Sequence, residues 1–188
     1  MKRKFLSLVT GVCVLFGIMC VGCSNGSSDG ISDDVSVKLE ERLKSAKSGE
    51  TIDIIAENII LTDFASYTIE KPLTIKNGAM KNASFTVKST GVTFDGLTDI
   101  SKLTVDESVG DGDFTLQNCG IVNDVYINGG GSNSVHVSGT VIKKFSVTKE
   151  NVRILLKTSS DSAKETKIEK TFIFADCKSP KNFPLRFD

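Results

Sequence analysis

Histidine occurs once in the 188 residues, at His136, and tryptophan does not occur at all. A catalytic histidine must therefore be His136 or none, and no metal site can be built from that side chain alone. Only Tyr67 and Tyr126 could offer polar-tipped aromatic platforms to a sugar ring. Net charge is missing too, since 23 basic residues balance 23 acidic ones. What is plentiful is Thr, Ser, Val, Ile, Asn and Gly, a composition that favours strands and tight corners over helices.

The start of the chain, "MKRKFLSLVTGVCVLFGIMCVGCSNGSS", has a basic segment at Lys2, Arg3 and Lys4 and an almost wholly apolar run from Phe5 to Val21. Gly22 and Cys23 follow, then small polar residues. This is the layout of an export signal. The apolar run is marginal for a spanning helix and lacks a basic flank after it. A small residue directly before a cysteine at the end of the apolar run resembles the lipobox of bacterial lipoproteins. That resemblance implies a signal peptide over 1–22, cleavage before Cys23, acylation of the Cys23 sulfur, and attachment to a membrane of the bacterial cell envelope, at the outer membrane or its periplasmic face. Cys20 is the poorer candidate, because bulky Met19 precedes it. The plainer alternative is an ordinary secretory signal with incidental cysteines.

Cleavage would remove three of the 23 basic residues and none of the acidic ones, leaving 166 residues with a formal charge of −3. One domain is the natural count, and the balance argues against nucleic acid as a partner. Residues 23–34 read as the lipidated cysteine and a flexible tether. Asp33 or Asp34 can cap a helix over 35–47, with Val35, Leu39, Leu43 and Ala46 on one face and Gly49 just past its end.

A repeat then begins. "LTIKNG" at Leu73, "VTFDG" at Val92, "FTLQNCG" at Phe114 and "VHVSG" at Val135 start 19, 22 and 21 residues apart. "IDIIAE" at Ile52 precedes them; "ILLKTS" at Ile154 and "FIFADC" at Phe172 continue the series. A second family is interleaved: "FTV" at Phe85, "LTV" at Leu103, "VYI" at Val125 and "FSV" at Phe145. Asn77-Gly78 alone would signal a tight hairpin. The seven to nine residues separating each first-family strand from its second-family partner are too many for that, so the spacing predicts a corner and a short third side. Gly78, Gly96, Gly120 and Gly139 mark the corners. Leu73, Ile75, Val92, Phe94, Phe114 and Leu116 should stack inward, with Thr93 and Thr115 outward. The expected fold is an all-β, single-stranded right-handed parallel β-helix, a solenoid of about six coils over 35–188. Its ends need covers: the amphipathic helix at one, and a C-terminal cap over 178–188, with Phe183, Leu185 and Phe187 as plugs, at the other.

The helix followed by "SGETIDI" and "IEKPLTIKNG" resembles the opening coils of right-handed parallel β-helices of the pectin-lyase-like superfamily, and the repeats extend the likeness over roughly residues 33–177. The resemblance implies a fold more than an activity, because lyases, hydrolases, adhesins and inert spacers share it. A polysaccharide lyase or hydrolase would need paired strand carboxylates, and none is visible. Asp95 and Asp176 fall at corners, and Arg153, the one arginine of the repeats, has no acid at the matching position one coil away.

Four carboxylates in "DESVGDGD", Asp106 to Asp113, could attract a hard cation, but the spacing is not that of an EF-hand, and a solvated loop is the simpler reading. "NGGGSN", Asn128 to Asn133, lacks the Lys-Ser/Thr and helix of a phosphate cradle and reads as a loose loop. His136 should point outward between Val135 and Val137. Cys119 and Cys177 should occupy equivalent corners three coils apart, ~14 Å by strand spacing, which excludes a disulfide. Lys76, Lys81, Lys88, Lys102, Lys143 and Lys144, placed outside the core strands, could touch acidic glycans. The expectation is a non-enzymatic, lipid-anchored structural or adhesive protein engaging an envelope or host protein or a glycan, with no catalytic residue, cofactor or metal. A carbohydrate-active enzyme with an unrecognised site and an inert spacer are the alternatives.

Overall fold

The computed structural model describes residues 36–131, 135–159, 164–174 and 186–187. One helix, α1 (Leu39–Ser45), leads into β1 (Thr51–Asp53), β2 (Ser66–Ile69), β3 (Thr74–Val87), β4 (Val92–Val105), β5 (Phe114–Ile127), β6 (Val135–Val147), β7 (Ile154–Lys157), β8 (Lys167–Ile173) and β9 (Arg186–Phe187). Each strand pairs in parallel with the equivalent strand one coil away. The result is a parallel β-solenoid of about five turns.

The inward registers explain why it stacks. Ile52, Ile75, Phe94, Leu116 and Val137 form one column, and Tyr67, Phe85, Leu103, Val125 and Phe145 another. All are buried. In the interior, the rings of Tyr67, Phe85, Phe94 and Phe114 follow one another at 5.4, 4.9 and 5.6 Å, the last two contacts edge-on, a favoured arrangement of aromatic quadrupoles. Thr93 and Thr115 lie in register on the outer side and are half-buried.

Where two short strands and a corner were expected, the chain forms one bent strand of 13 or 14 residues per coil. Pairing resumes on both sides of each bend. The corner column is Asn77, Gly96, Asn118 and Gly139, with φ of 57°, 68°, 57° and 55°. Gly78 thus follows its corner, and Gly120 (φ 57°) lies two residues beyond Asn118. Asparagine and glycine alternate for a steric reason. A Cβ on Gly96 would lie 3.3 Å from Asn77 Oδ1, and one on Gly139 would lie 2.8 Å from Asn118 Oδ1. An asparagine side chain on one coil fills the space that a side chain on the next would need. Both asparagines are fixed from below: Asn77 Nδ2 donates to Asp53 Oδ2 at 2.9 Å and Asn118 Nδ2 to Asp95 Oδ1 at 3.0 Å.

The helix starts later than predicted. Leu39 N donates to Ile60 O, and Ile60 N to Val37 O, which holds residues 37–39 extended against the first coil and delays helix formation. Lys38, not an aspartate, takes the N-cap position and makes no side-chain cap bond; Asp33, Asp34 and Val35 lie outside the described residues. Leu39, Leu43 and Ala46 are buried in the solenoid core. Arg42 ties α1 to the first coil, Nε donating to Glu57 Oε2 and Nη2 to Glu50 Oε1, both at 2.6 Å.

The last coil corrects the repeat. Phe172 does not open a further first-family strand; β8 pairs with the second half of β6, placing Ile168 on Ile142, Thr171 on Phe145 and Phe172 on Ser146. That removes one of the six expected coils. Of the expected C-terminal cap, Arg186 and Phe187 add a short strand beside β7, and Phe183 and Leu185 lie outside the described residues.

Candidate interaction surface

Carboxylates that chemistry would need are held in structural roles. Asp106 Oδ1 accepts from Ser108 N at 3.0 Å, and the bonds from Ser108 hold its carboxyl below the usual range. Asp53 is likewise lowered, first by the Ala56 N–H and then by Asn77. Asp95 holds the Asn118 corner, Asp111 faces Lys149 at 3.8 Å, and Asp176 lies outside the described residues. Among the described residues no three His, Cys, Asp or Glu side chains group as metal ligands, and no helix is long and apolar enough to cross a membrane. The lipidation candidate, Cys23, is outside the described residues.

Expectation and structure part at the glycine loop. Gly129, Gly130 and Gly131 are buried because they pack onto the acidic turn one coil before. A Cβ on Gly129 would sit 2.1 Å from the Asp106 carbonyl oxygen, and one on Gly131 would sit 2.7 Å from Asp111 atoms. Gly130 N donates to Gly110 O at 2.7 Å. Residues 128–131 form a stacked turn, not a loose loop, and Ser132 and Asn133 lie outside the described residues. His136 sits half-buried in the outward column after Thr115, and Arg153 is half-buried beside that turn, its N–H donating to Gly131 O. Both residues have interaction partners.

Cys119 is a free, buried corner residue whose thiol is pushed up to about 12 by burial. Its N–H donates to Thr140 Oγ1 at 3.0 Å. Cys177 lies outside the described residues, and the corrected register of Phe172 removes the equivalence drawn between the two.

The outward face of the second-half strands is where the structure gathers side chains able to meet a partner. Tyr67 is not there, being 6% exposed in the aromatic core. Tyr126 is, half-buried, with Lys102 Nζ 5.1 Å from its ring centroid. The Tyr126 column runs through Ser146 to Phe172, and the neighbouring column runs Lys102, Asp124, Lys144, Lys170. Lys143 and Lys167 are exposed beside them. Ile121 and Phe172 are 54% and 46% exposed. Lys76, Lys81, Lys102, Lys143 and Lys144 thus lie within strands, not outside them, and several are paired: Lys144 with Asp124 at 3.5 Å, Lys76 with Asp53 and Lys81 with Asp63 at 3.4 Å.

Sequence reasoning missed Phe172, Lys167 and Lys170 as members of this face. The signal was the match of "VIKKFSV" with "KIEKTFI", in which Ile142, Lys144 and Val147 recur as Ile168, Lys170 and Ile173. A cleft between α1 and β2 is a weaker candidate: Lys71 Nζ, on its lining, donates to the Lys44 and Ala46 carbonyls at 2.9 and 2.7 Å. Compared with known proteins, the chain matches no family model, no curated protein and no solved structure.

Proposed function

We propose that the mature protein is a lipid-anchored bacterial envelope solenoid that acts by binding or spacing rather than by catalysis. The anchor reading rests on Gly22-Cys23 after the apolar run Phe5–Val21, followed by a polar tether. The resemblance of the opening coils to the pectin-lyase-like superfamily supports a scaffold of exported type and is neutral about activity. The observation that carries the non-catalytic reading is the employment of the strand and turn carboxylates: Asp53 and Asp106 bind backbone N–H groups of their own turns, and Asp53 and Asp95 bind the corner asparagines of the next coil. Asp53 and Asp106, held below the usual carboxylate range by those bonds, are poor general acids.

Two measurements test the two halves separately. Cys23→Ala should abolish fatty-acid labelling; labelling that persists would discard Cys23 as the anchor. Purified mature protein should leave polygalacturonate uncleaved with or without calcium, and calcium-dependent release of unsaturated sugars would make it a lyase instead.

A further inference from the structure

We infer that the outward face of the second-half strands of β5, β6 and β8 lies against an anionic lipid bilayer. This deepens the anchored reading and rests on it for bringing the face to a membrane. Charge is the first argument. On the four coils from β4 to β8, Lys102, Lys143, Lys144, Lys167 and Lys170 outnumber Asp99, Asp124 and Glu169. In the stacked turns 88–91, 106–113 and 148–151 the sign reverses: Asp106, Glu107, Asp111, Asp113 and Glu150 outnumber Lys88 and Lys149. The mature chain, with a formal charge of −3, therefore presents a basic side and an acidic side, and each lysine near an anionic surface is worth ~1 kcal/mol, about fivefold in partitioning.

The apolar side chains on the same face decide between kinds of polyanion. Phe172 is 46% exposed, two residues after Lys170 on the same side of β8. Half-buried Tyr126 shares a column with Phe172. An acidic polysaccharide offers nothing apolar to Phe172 beyond a ring face, and Lys102 already stands over the Tyr126 ring where a sugar would stack. The headgroup region offers both phosphates and acyl chain, and lysine stems can lie along apolar surface with their ammonium groups at the phosphates.

The experiment uses the lipidated mature protein in vesicles, with Cys177→Ser and Phe172→Cys carrying an environment-sensitive fluorophore; Cys119 is buried and escapes labelling. In phosphatidylglycerol-containing vesicles the probe should shift to the blue and be quenched several-fold more by bilayer-borne nitroxide than in phosphatidylcholine vesicles. The same probe on Glu107→Cys should stay in water in both. Lys143→Glu with Lys170→Glu should reduce quenching to the phosphatidylcholine level. Unlipidated mature chain should sediment with phosphatidylglycerol vesicles about fivefold less for each single lysine removed, a result that does not depend on Cys23 being acylated. Equal quenching in both vesicle types, no quenching in either, or a probe shift produced by dextran sulfate without vesicles would overturn the inference. Loss of fatty-acid labelling with the sedimentation result intact would instead remove the anchor and leave the face.

Discussion

Replacing Phe94 by alanine tests the register on which the core depends. Its side chain is fully buried, in register between Ile75 and Leu116. Its ring makes edge-on contacts with Phe85 at 4.9 Å and Phe114 at 5.6 Å. Truncating a buried phenylalanine costs ~3–5 kcal/mol. Two edge-to-face partners, each contributing about 0.5–1.5 kcal/mol beyond area, place Phe94 in the upper half of that range. The neighbouring strands cannot close the gap, because parallel pairing fixes their separation at ~4.8 Å. Against a total stability of about 5–15 kcal/mol this is a large fraction.

The assay is guanidinium unfolding followed by circular dichroism, with Thr93→Lys as the paired control. Thr93 is on the outer side of the same strand, so that change should stay within about 0.5 kcal/mol. A solenoid transmits stability only between neighbouring coils. The Phe94→Ala transition should therefore move to lower denaturant and also broaden, as coils on either side of the cavity unfold separately. If Thr93→Lys costs more than Phe94→Ala, the assigned inward and outward faces are exchanged and the ladder argument fails.

Gly139→Ala should cost more than Gly49→Ala although both have positive φ, because a Cβ at 139 would lie 2.8 Å from Asn118 Oδ1 and 2.9 Å from Ser159 Oγ while one at 49 meets nothing; equal costs in thermal unfolding would count against the filled-corner explanation. Cys119 should resist alkylation at pH 8 until the protein unfolds. Its thiol is raised from 9.0 to about 12, so the unfolded chain ionises first; the resulting loss of stability should begin as pH rises through 9, grow towards 12, and disappear in Cys119→Ala.

Much of the solenoid was legible because its repeat is written twice, in two strand families that drift together. The inward columns through Phe94 and Phe114 need only alternation and a period near twenty residues. The corner was legible in kind but not in position. Asparagine and glycine both tolerate left-handed backbone, so Asn77-Gly78 carries no internal sign of which residue turns. The choice is made between coils, by the room that Asn77 leaves or denies at Gly96. Tyr67 was misplaced for a related reason: a tyrosine between Ser66 and Thr68 looks exposed until the next coil supplies Phe85 at 5.4 Å.

The same dependence on neighbours explains the last coil and the face it completes. Thr171 stands in the column of Phe145, where every earlier coil has a large apolar side chain, and Phe172 stands in the outward column. A reading that looks for the largest residue at the inward position therefore slides by one and turns the strand over. Lys170 settles the register, because it continues the outward column of Lys102, Asp124 and Lys144. At the end of a solenoid the inward position is no longer fully covered, and Ile173 is 45% exposed there, so packing ceases to dictate residue size. What remains to dictate it is whatever the outer surface meets. An exposed phenylalanine beside lysines is costly in water alone and suits a boundary that is charged on one side and apolar on the other.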